Sequence, residues 1–121
     1  MNINQHLEKA RASLASLNKL DASQDALAII DGTLIVGYHL GNALLHTHGV
    51  CEPCVHFNTP SKLERPVHTL PAPVRPGFEA FDALETLRTR YVRNPGELDA
   101  NAVRDARRLL DTMARECGVT V

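Results

Sequence analysis

The hydrophobic positions along this chain repeat at intervals of three and four residues over much of its length. Near the N-terminus the repeat is formed by Leu7, Ala10, Leu14 and Leu17, with charged residues between them. This spacing places the apolar side chains on one face of a helix. The pattern therefore predicts an amphipathic helix over residues 4–19.

The next segment, residues 25–48, is nearly all apolar, and two structures compete for it. Asp21 followed by Gln24 has the spacing of a capping box, which favours the start of a helix just before this segment. The rival is a β-hairpin over residues 27–40, because Asp31-Gly32 between β-branched residues is a strong turn signal. Neither hairpin arm alternates apolar and polar residues, so the long buried helix is favoured.

An apolar stretch of this length also has to be tested as a membrane span, since about 20 apolar residues cross a bilayer. Asp31, His39 and Asn42 would then lie in hydrocarbon, at a cost of several kcal/mol. No cluster of Lys and Arg flanks the segment. The sequence therefore predicts no membrane association.

Residues 49–76 form a second kind of segment, because they hold six of the seven prolines. Proline at this density excludes a continuous helix. We predict an irregular loop rich in Pro, His and Cys, and a loop this long inside a compact domain is often functional.

Helical spacing returns after Gly77. The third helix has an apolar stripe of Ala80, Phe81, Leu84, Leu87 and Tyr91. Asn94-Pro95-Gly96 predicts a turn, Asp99 is expected to cap the fourth helix, and Gly118 to end it. The inward positions of the fourth helix are Ala102, Ala106, Leu109, Leu110 and Met113.

These patterns predict one all-α domain over residues 1–121. Its architecture would be an antiparallel four-helix bundle with a long proline-rich crossover between helices two and three. Short connections would make helices one and two, and helices three and four, antiparallel neighbours, with the second helix central. The alternative is an α+β fold with a hairpin near residues 27–40.

Charge and cysteine content narrow the function classes. The formal net charge is −1, which gives no bulk attraction to nucleic acid, and the arginines of the C-terminal third alternate with acidic residues. The N-terminus lacks the basic and apolar regions of a secretory signal. Three cysteines, two of them in Cys51-x-x-Cys54, suit a reducing compartment, so we predict a cytoplasmic protein.

The chemistry-bearing residues are concentrated in one part of the chain, since five of the six histidines lie between His39 and His68. Thiolate and imidazole are the donors that zinc prefers. The turn-like Cys51-x-x-Cys54 spacing, with a histidine on each side, predicts a zinc site made of His48, Cys51, Cys54 and His56. A single CxxC also fits a reduced turn without metal.

A second candidate site follows from the helical reading of residues 25–48. Asp31, Tyr38, His39, Asn42 and His46 fall within about 100° of arc on such a helix. Polar groups on a buried helix must be satisfied by each other, by water or by a ligand. We expect Asn42 and His46 to point inward and share a network with Asp31 or Tyr38; the alternatives are an exposed stripe or a subunit interface.

Three functions remain open at this point. The first is a small non-catalytic binding or regulatory module that self-associates through helix faces as a homodimer, for which Gly37-x-x-x-Gly41 offers a close-packing seam. The second is a transition-metal protein that binds zinc through residues 46–56. The third is a small hydrolase or ribonuclease that uses the polar stripe. No recognised catalytic motif is present, which favours a protein that is not an enzyme.

Overall fold

The computed structural model describes residues 1–95, 98 and 100–119. Four α-helices make up most of it: α1 (Ile3–Leu17), α2 (Ala26–Thr47), α3 (Arg75–Arg88) and α4 (Ala100–Glu116). Short 3₁₀ turns lie in the crossover at Pro60–Lys62 and Val67–Thr69, and a π-helical turn at Thr89–Arg93 extends α3. The described residues contain no strand, so the all-α prediction is confirmed.

The first helix begins with a capping box that the apolar pattern did not reveal. Asn2 and Gln5 each accept the other's backbone N–H through their side chains. The predicted box at Asp21 has a different role. Its carboxylate accepts the N–H groups of Ser23 and Gln24 in a turn, whereas α2 begins only at Ala26. Asp21 therefore orders the connection between the helices.

The second helix runs without a break through Asp31-Gly32, which excludes the hairpin. Gly32 lies where a Cβ atom would clash with the side chain of Leu17. The absence of a side chain at Gly32 therefore lets α1 approach α2. Local turn preference is overridden here by packing between helices.

The Gly37-x-x-x-Gly41 seam is filled from within the same chain. A Cβ atom at either glycine would come within about 3 Å of the Phe81 ring (2.9 Å at Gly37 and 3.0 Å at Gly41). Phe81 is fully buried and meets Phe78 edge to face, with ring centroids 5.7 Å apart. The two glycines therefore dock α3 onto α2.

The bundle is organised around α2, which contacts each of the other three helices. Helix α1 packs on α2, and α3 and α4 pack on each other and on α2, as predicted. Helix α2 is long and apolar enough to cross a membrane, but 67% of its apolar 18-residue stretch is buried inside the bundle. That degree of burial is typical of the core helix of a folded domain.

Helices α2 and α4 end in the same way, at a glycine with positive φ (Gly49, 66°, and Gly118, 70°). In each case the next residue donates its N–H to the carbonyl five residues back, at 2.9 Å from Val50 and 2.8 Å from Val119. This is a Schellman motif. It confirms Gly118 as a helix terminator, whereas the predicted cap Asp99 lies outside the described residues.

The Schellman motif at Gly49 also turns the chain back towards the bundle, where the crossover begins. Further along, Glu85 of α3 accepts the backbone N–H and the hydroxyl of Ser61 at 3.0 and 2.7 Å. Pro60 and Leu70 are buried. The predicted irregular loop is therefore attached to the bundle at several points.

Candidate metal centre

Four imidazole rings meet where α1, α2 and the crossover come together. They belong to His6 of α1, to His39 and His46 of α2, and to His56 of the crossover. The ring centroid of His6 lies 5.4 Å from those of His39 and His46 and 4.8 Å from that of His56. His6 is therefore the centre of the cluster.

His6 lies on the inward face of α1, in line with Ala10 and Leu14, and is fully buried. Its Nδ1 lies 3.1 Å from Nδ1 of His39, and its Nε2 lies 2.9 Å from Nε2 of His56. A neutral imidazole carries one N–H. His6 therefore donates through one nitrogen and accepts through the other.

His46 is the least satisfied member of the cluster. It is 9% exposed, and its Nδ1 lies 3.5 Å from the Cys51 thiol. Its Nε2 is buried and has no hydrogen-bond partner within the part of the chain that the structure describes. Such a group costs about 1–3 kcal/mol unless water or a ligand satisfies it.

The rings of His6, His46 and His56 offer three nitrogens to one point. One ring nitrogen of each lies within 4.8 Å of those of the other two. Nitrogens bound to one tetrahedral zinc ion at about 2.0–2.1 Å lie about 3.4 Å apart. The 2.9 Å between His6 and His56 would have to widen slightly, and the longer separations would have to contract, so shifts of side-chain scale would complete the site.

His56 is held in place through its neighbour Phe57. The Asn42 side chain accepts the Phe57 N–H at 3.0 Å and donates to the Phe57 carbonyl at 2.9 Å. It also donates to the Tyr38 carbonyl, one turn back, at 2.7 Å. Asn42 is 1% exposed, so this clamp fixes the crossover backbone to α2 from inside the protein.

Burial dominates the electrostatics of the cluster. Desolvation, reinforced by the charges that His56, His39 and His46 would carry, lowers the pKa of His6 to about 4. Desolvation is also the largest cause of the lowered pKa values of His39 and His46. These rings are neutral near pH 7, which is the form that binds a metal ion.

The predicted polar stripe of α2 divides into two groups. Asn42 and His46 point inward, as predicted, but their partners are the Tyr38 carbonyl, Phe57 and Cys51. The ring of His39 joins the cluster, and that of Tyr38 meets His39 at 4.8 Å between centroids. Asp31 lies elsewhere, with a carboxylate oxygen 2.7 Å from Nε of Arg88.

The predicted zinc ligands His48, Cys51, Cys54 and His56 are not brought together. His48 is the exposed C-cap of α2, and Cys54 is exposed on a turn of the crossover. Cys51 reaches His46, and only His56 belongs to the group of three ligand atoms found among the described residues. His48 follows His46 by two residues, about 200° around the helix, so it is exposed whereas His46 is buried.

His6 is the member of the site that sequence reasoning missed. It lies 40 residues from His46 along the chain, so the concentration of possible ligands in residues 46–56 could not indicate it. One signal was present: His6 continues the Ala10, Leu14 and Leu17 stripe one turn back, so a polar residue occupies an inward position of an amphipathic helix.

Comparison with known proteins adds no relative to this picture. No protein-family model, no curated protein and no solved structure matches the chain.

Proposed function

We propose that this protein binds one divalent transition-metal ion of the zinc class through His6, His46 and His56, as a small non-catalytic metal-binding module. Three imidazoles from three separate parts of the chain favour zinc, copper or nickel over the oxygen-preferring magnesium and calcium. With three protein ligands, one position of a tetrahedral ion would be left for water or another small ligand.

The observation that carries the proposal is that one ring nitrogen of buried His46 lies within 4.8 Å of ring nitrogens of His6 and His56, and that its Nε2 has no hydrogen-bond partner among the described residues. A metal ion would satisfy that atom with its lone pair directed at the ion. The opposite nitrogens support the same arrangement. Nδ1 of His46 faces Cys51, and Nδ1 of His6 faces His39, so both ligands have the outer partners that metal-bound histidines usually have.

The test is a titration of chelator-stripped, reduced protein with Zn²⁺ in the presence of a chromophoric competitor. We expect one ion per chain. His46→Gln and His6→Asn should each weaken binding by more than the ~10–100-fold typical of losing an outer partner of a ligand.

The matched control is His48→Ala, because His48 lies two residues from His46 but is exposed. It should leave the affinity unchanged. Equal affinities for wild-type protein and His46→Gln, or a large loss in His48→Ala, would contradict the proposed ligand set and favour the His48, Cys51, Cys54 and His56 site.

A separate observation supports self-association as a second proposal. Leu27 and Ile35 are 52% and 55% exposed and lie two helical turns apart on the outer face of α2. An apolar pair on the central helix suits a homodimer seam. Light scattering after size-exclusion chromatography should find a dimer that Ile35→Lys converts to a monomer, and a wild-type monomer at high concentration would contradict it.

A further inference from the structure

Two free cysteines, Cys51 and Cys54, lie in the segment that leads to His56, and Cys51 contacts the histidine cluster. The Sγ atom of Cys51 is 3.5 Å from Nδ1 of His46 and 3.5 Å from the Val55 carbonyl oxygen. Cys51 is partly buried, whereas Cys54 is exposed. One cysteine therefore contacts a proposed metal ligand, and the other is open to reagents in solution.

The backbone between these cysteines and His56 is a tight turn. The Val55 N–H donates to the Glu52 carbonyl at 2.9 Å. Cys54 lies within this turn, Cys51 directly precedes it, and His56 directly follows it. A covalent link between the two sulfurs would therefore change the one segment that both supports His46 and carries His56.

We propose that Cys51 and Cys54 form a reversible disulfide, and that its formation lowers the metal affinity of the histidine cluster. This inference rests on the proposed function. The oxidant would be a small hydroperoxide such as hydrogen peroxide, which converts the exposed thiol to a sulfenic acid.

The chemistry divides into two balanced steps. The exposed Cys54 thiolate attacks one peroxide oxygen, the O–O bond breaks, and a sulfenic acid and one water are formed once the leaving hydroxide takes up the thiol proton. The Cys51 sulfur then attacks the sulfenic sulfur. The S–S bond forms, the S–O bond breaks, and the hydroxyl leaves as a second water with the Cys51 proton. Two thiols are oxidised, and one peroxide is reduced to two waters.

The order of the two steps follows from the surroundings of each sulfur. Cys51 is partly buried, so its sulfur is less accessible to a reagent in solution than the exposed sulfur of Cys54. Exposed Cys54 suits the sulfur that reacts first, and Cys51 the sulfur that resolves the sulfenic acid.

The loss of affinity follows from the contact with His46. The disulfide turns Sγ of Cys51 towards Cys54 and removes the thiol that faces Nδ1 of His46. Loss of an outer partner of a metal-bound histidine lowers affinity by about 10–100-fold. We expect a loss of that size on oxidation, and recovery after reduction with a phosphine.

The experiment compares Zn²⁺ affinity for reduced and peroxide-treated wild-type protein, with the disulfide verified by a mass loss of two hydrogens and by peptide mapping. Cys54→Ser is the matched control, because it removes an exposed sulfur outside the cluster. It should bind Zn²⁺ like reduced wild-type protein and keep its affinity in peroxide. Cys51→Ala should reproduce part of the loss without any oxidant.

The outcomes separate the two proposals. If reduced wild-type protein binds no Zn²⁺, the proposed function fails, and this inference fails with it. If reduced protein binds Zn²⁺ but protein with a verified disulfide binds it equally well, only the inference is overturned. A mixed or intermolecular disulfide in place of the Cys51–Cys54 link, or an equal loss in peroxide-treated Cys54→Ser, also overturns it.

Discussion

Two faces of the same helix, α2, make opposite kinds of contact with the rest of the protein, one apolar and the other polar. One face presents Gly37 and Gly41 to Phe81, and the contact is close, apolar and without polar groups to satisfy. The other presents Asn42 and His46 to α1 and the crossover, and among the described residues it leaves Nε2 of His46 without a hydrogen-bond partner. A buried polar face of this kind is a common place for a functional site, because such sites are retained at a cost in stability.

The largest expected effect lies on the apolar face. Phe81→Ala should lower the free energy of unfolding by about 3–5 kcal/mol, because it removes a fully buried ring and leaves a cavity against two glycines. Urea denaturation of the metal-free protein measures it. Arg11→Ala, at an exposed position of α1, should change stability by less than about 0.5 kcal/mol. Similar losses in the free energy of unfolding for the two variants would mean that the Phe81 contact contributes no more than a surface position.

The next effect separates structure from binding on the polar face. Asn42→Ala leaves the Phe57 N–H and two carbonyls without their partner, so we expect a loss of about 1–3 kcal/mol. Since the clamp places His56, Zn²⁺ affinity should fall as well. The control is Asn58→Ala, an exposed amide two residues from His56. A destabilised variant with wild-type Zn²⁺ affinity would show that the clamp is not needed to place His56.

The third prediction concerns pH. The pKa of His6 is lowered in the folded protein from 6.5 to about 4, so the unfolded chain takes up a proton first as the pH falls. Stability of the metal-free protein should be complete above pH 6.5 and decrease progressively towards pH 4. The lowered pKa values of His39 and His46 act in the same direction. Denaturant midpoints measured across this range test it, and a profile that is equally steep in His6→Gln would contradict the role given to His6.

The smallest effect has the opposite sign. His46→Leu replaces the orphaned ring by an apolar side chain of similar size, so the metal-free protein should gain about 1 kcal/mol or stay unchanged. The same variant should lose the stabilisation by Zn²⁺, which for wild-type protein is about 2.7 kcal/mol at 100 times Kd. Thermal unfolding with and without Zn²⁺ measures both. A clear destabilisation of the metal-free variant would mean that His46 serves packing.

The elements of the bundle could be predicted from the sequence because they depend on local periodicity. The stripe of α1, the proline density of residues 49–76 and the terminator Gly118 act within one or two turns of chain. The same locality misled at Asp21, and at Asp31-Gly32 it left a hairpin open as the alternative to the helix that the structure confirms. There, turn chemistry was judged without the neighbouring helix, and Leu17 against Gly32 decided the outcome.

The site was predictable in part, for a related reason. The pattern of α2 indicated that Asn42 and His46 point inward, because a helix fixes which residues share a face. It could not indicate that Asp31 pairs with Arg88, 57 residues away, or that Gly37 and Gly41 receive Phe81. Partners so far apart in the chain are chosen by how the helices dock.

What the sequence by itself determined is the helical architecture, the central position of α2 and the region rich in possible ligands. Only the tertiary structure selected the ligand set, because His6 and His56 are 50 residues apart and meet through the α1–α2 packing and the Asn42 clamp. Short spacing favoured His48 and Cys54, but the end of α2 and the following turn leave both exposed. Proximity in sequence brings donors into one segment, whereas a site requires their lone pairs to meet at one point, and that depends on the packing of the whole bundle.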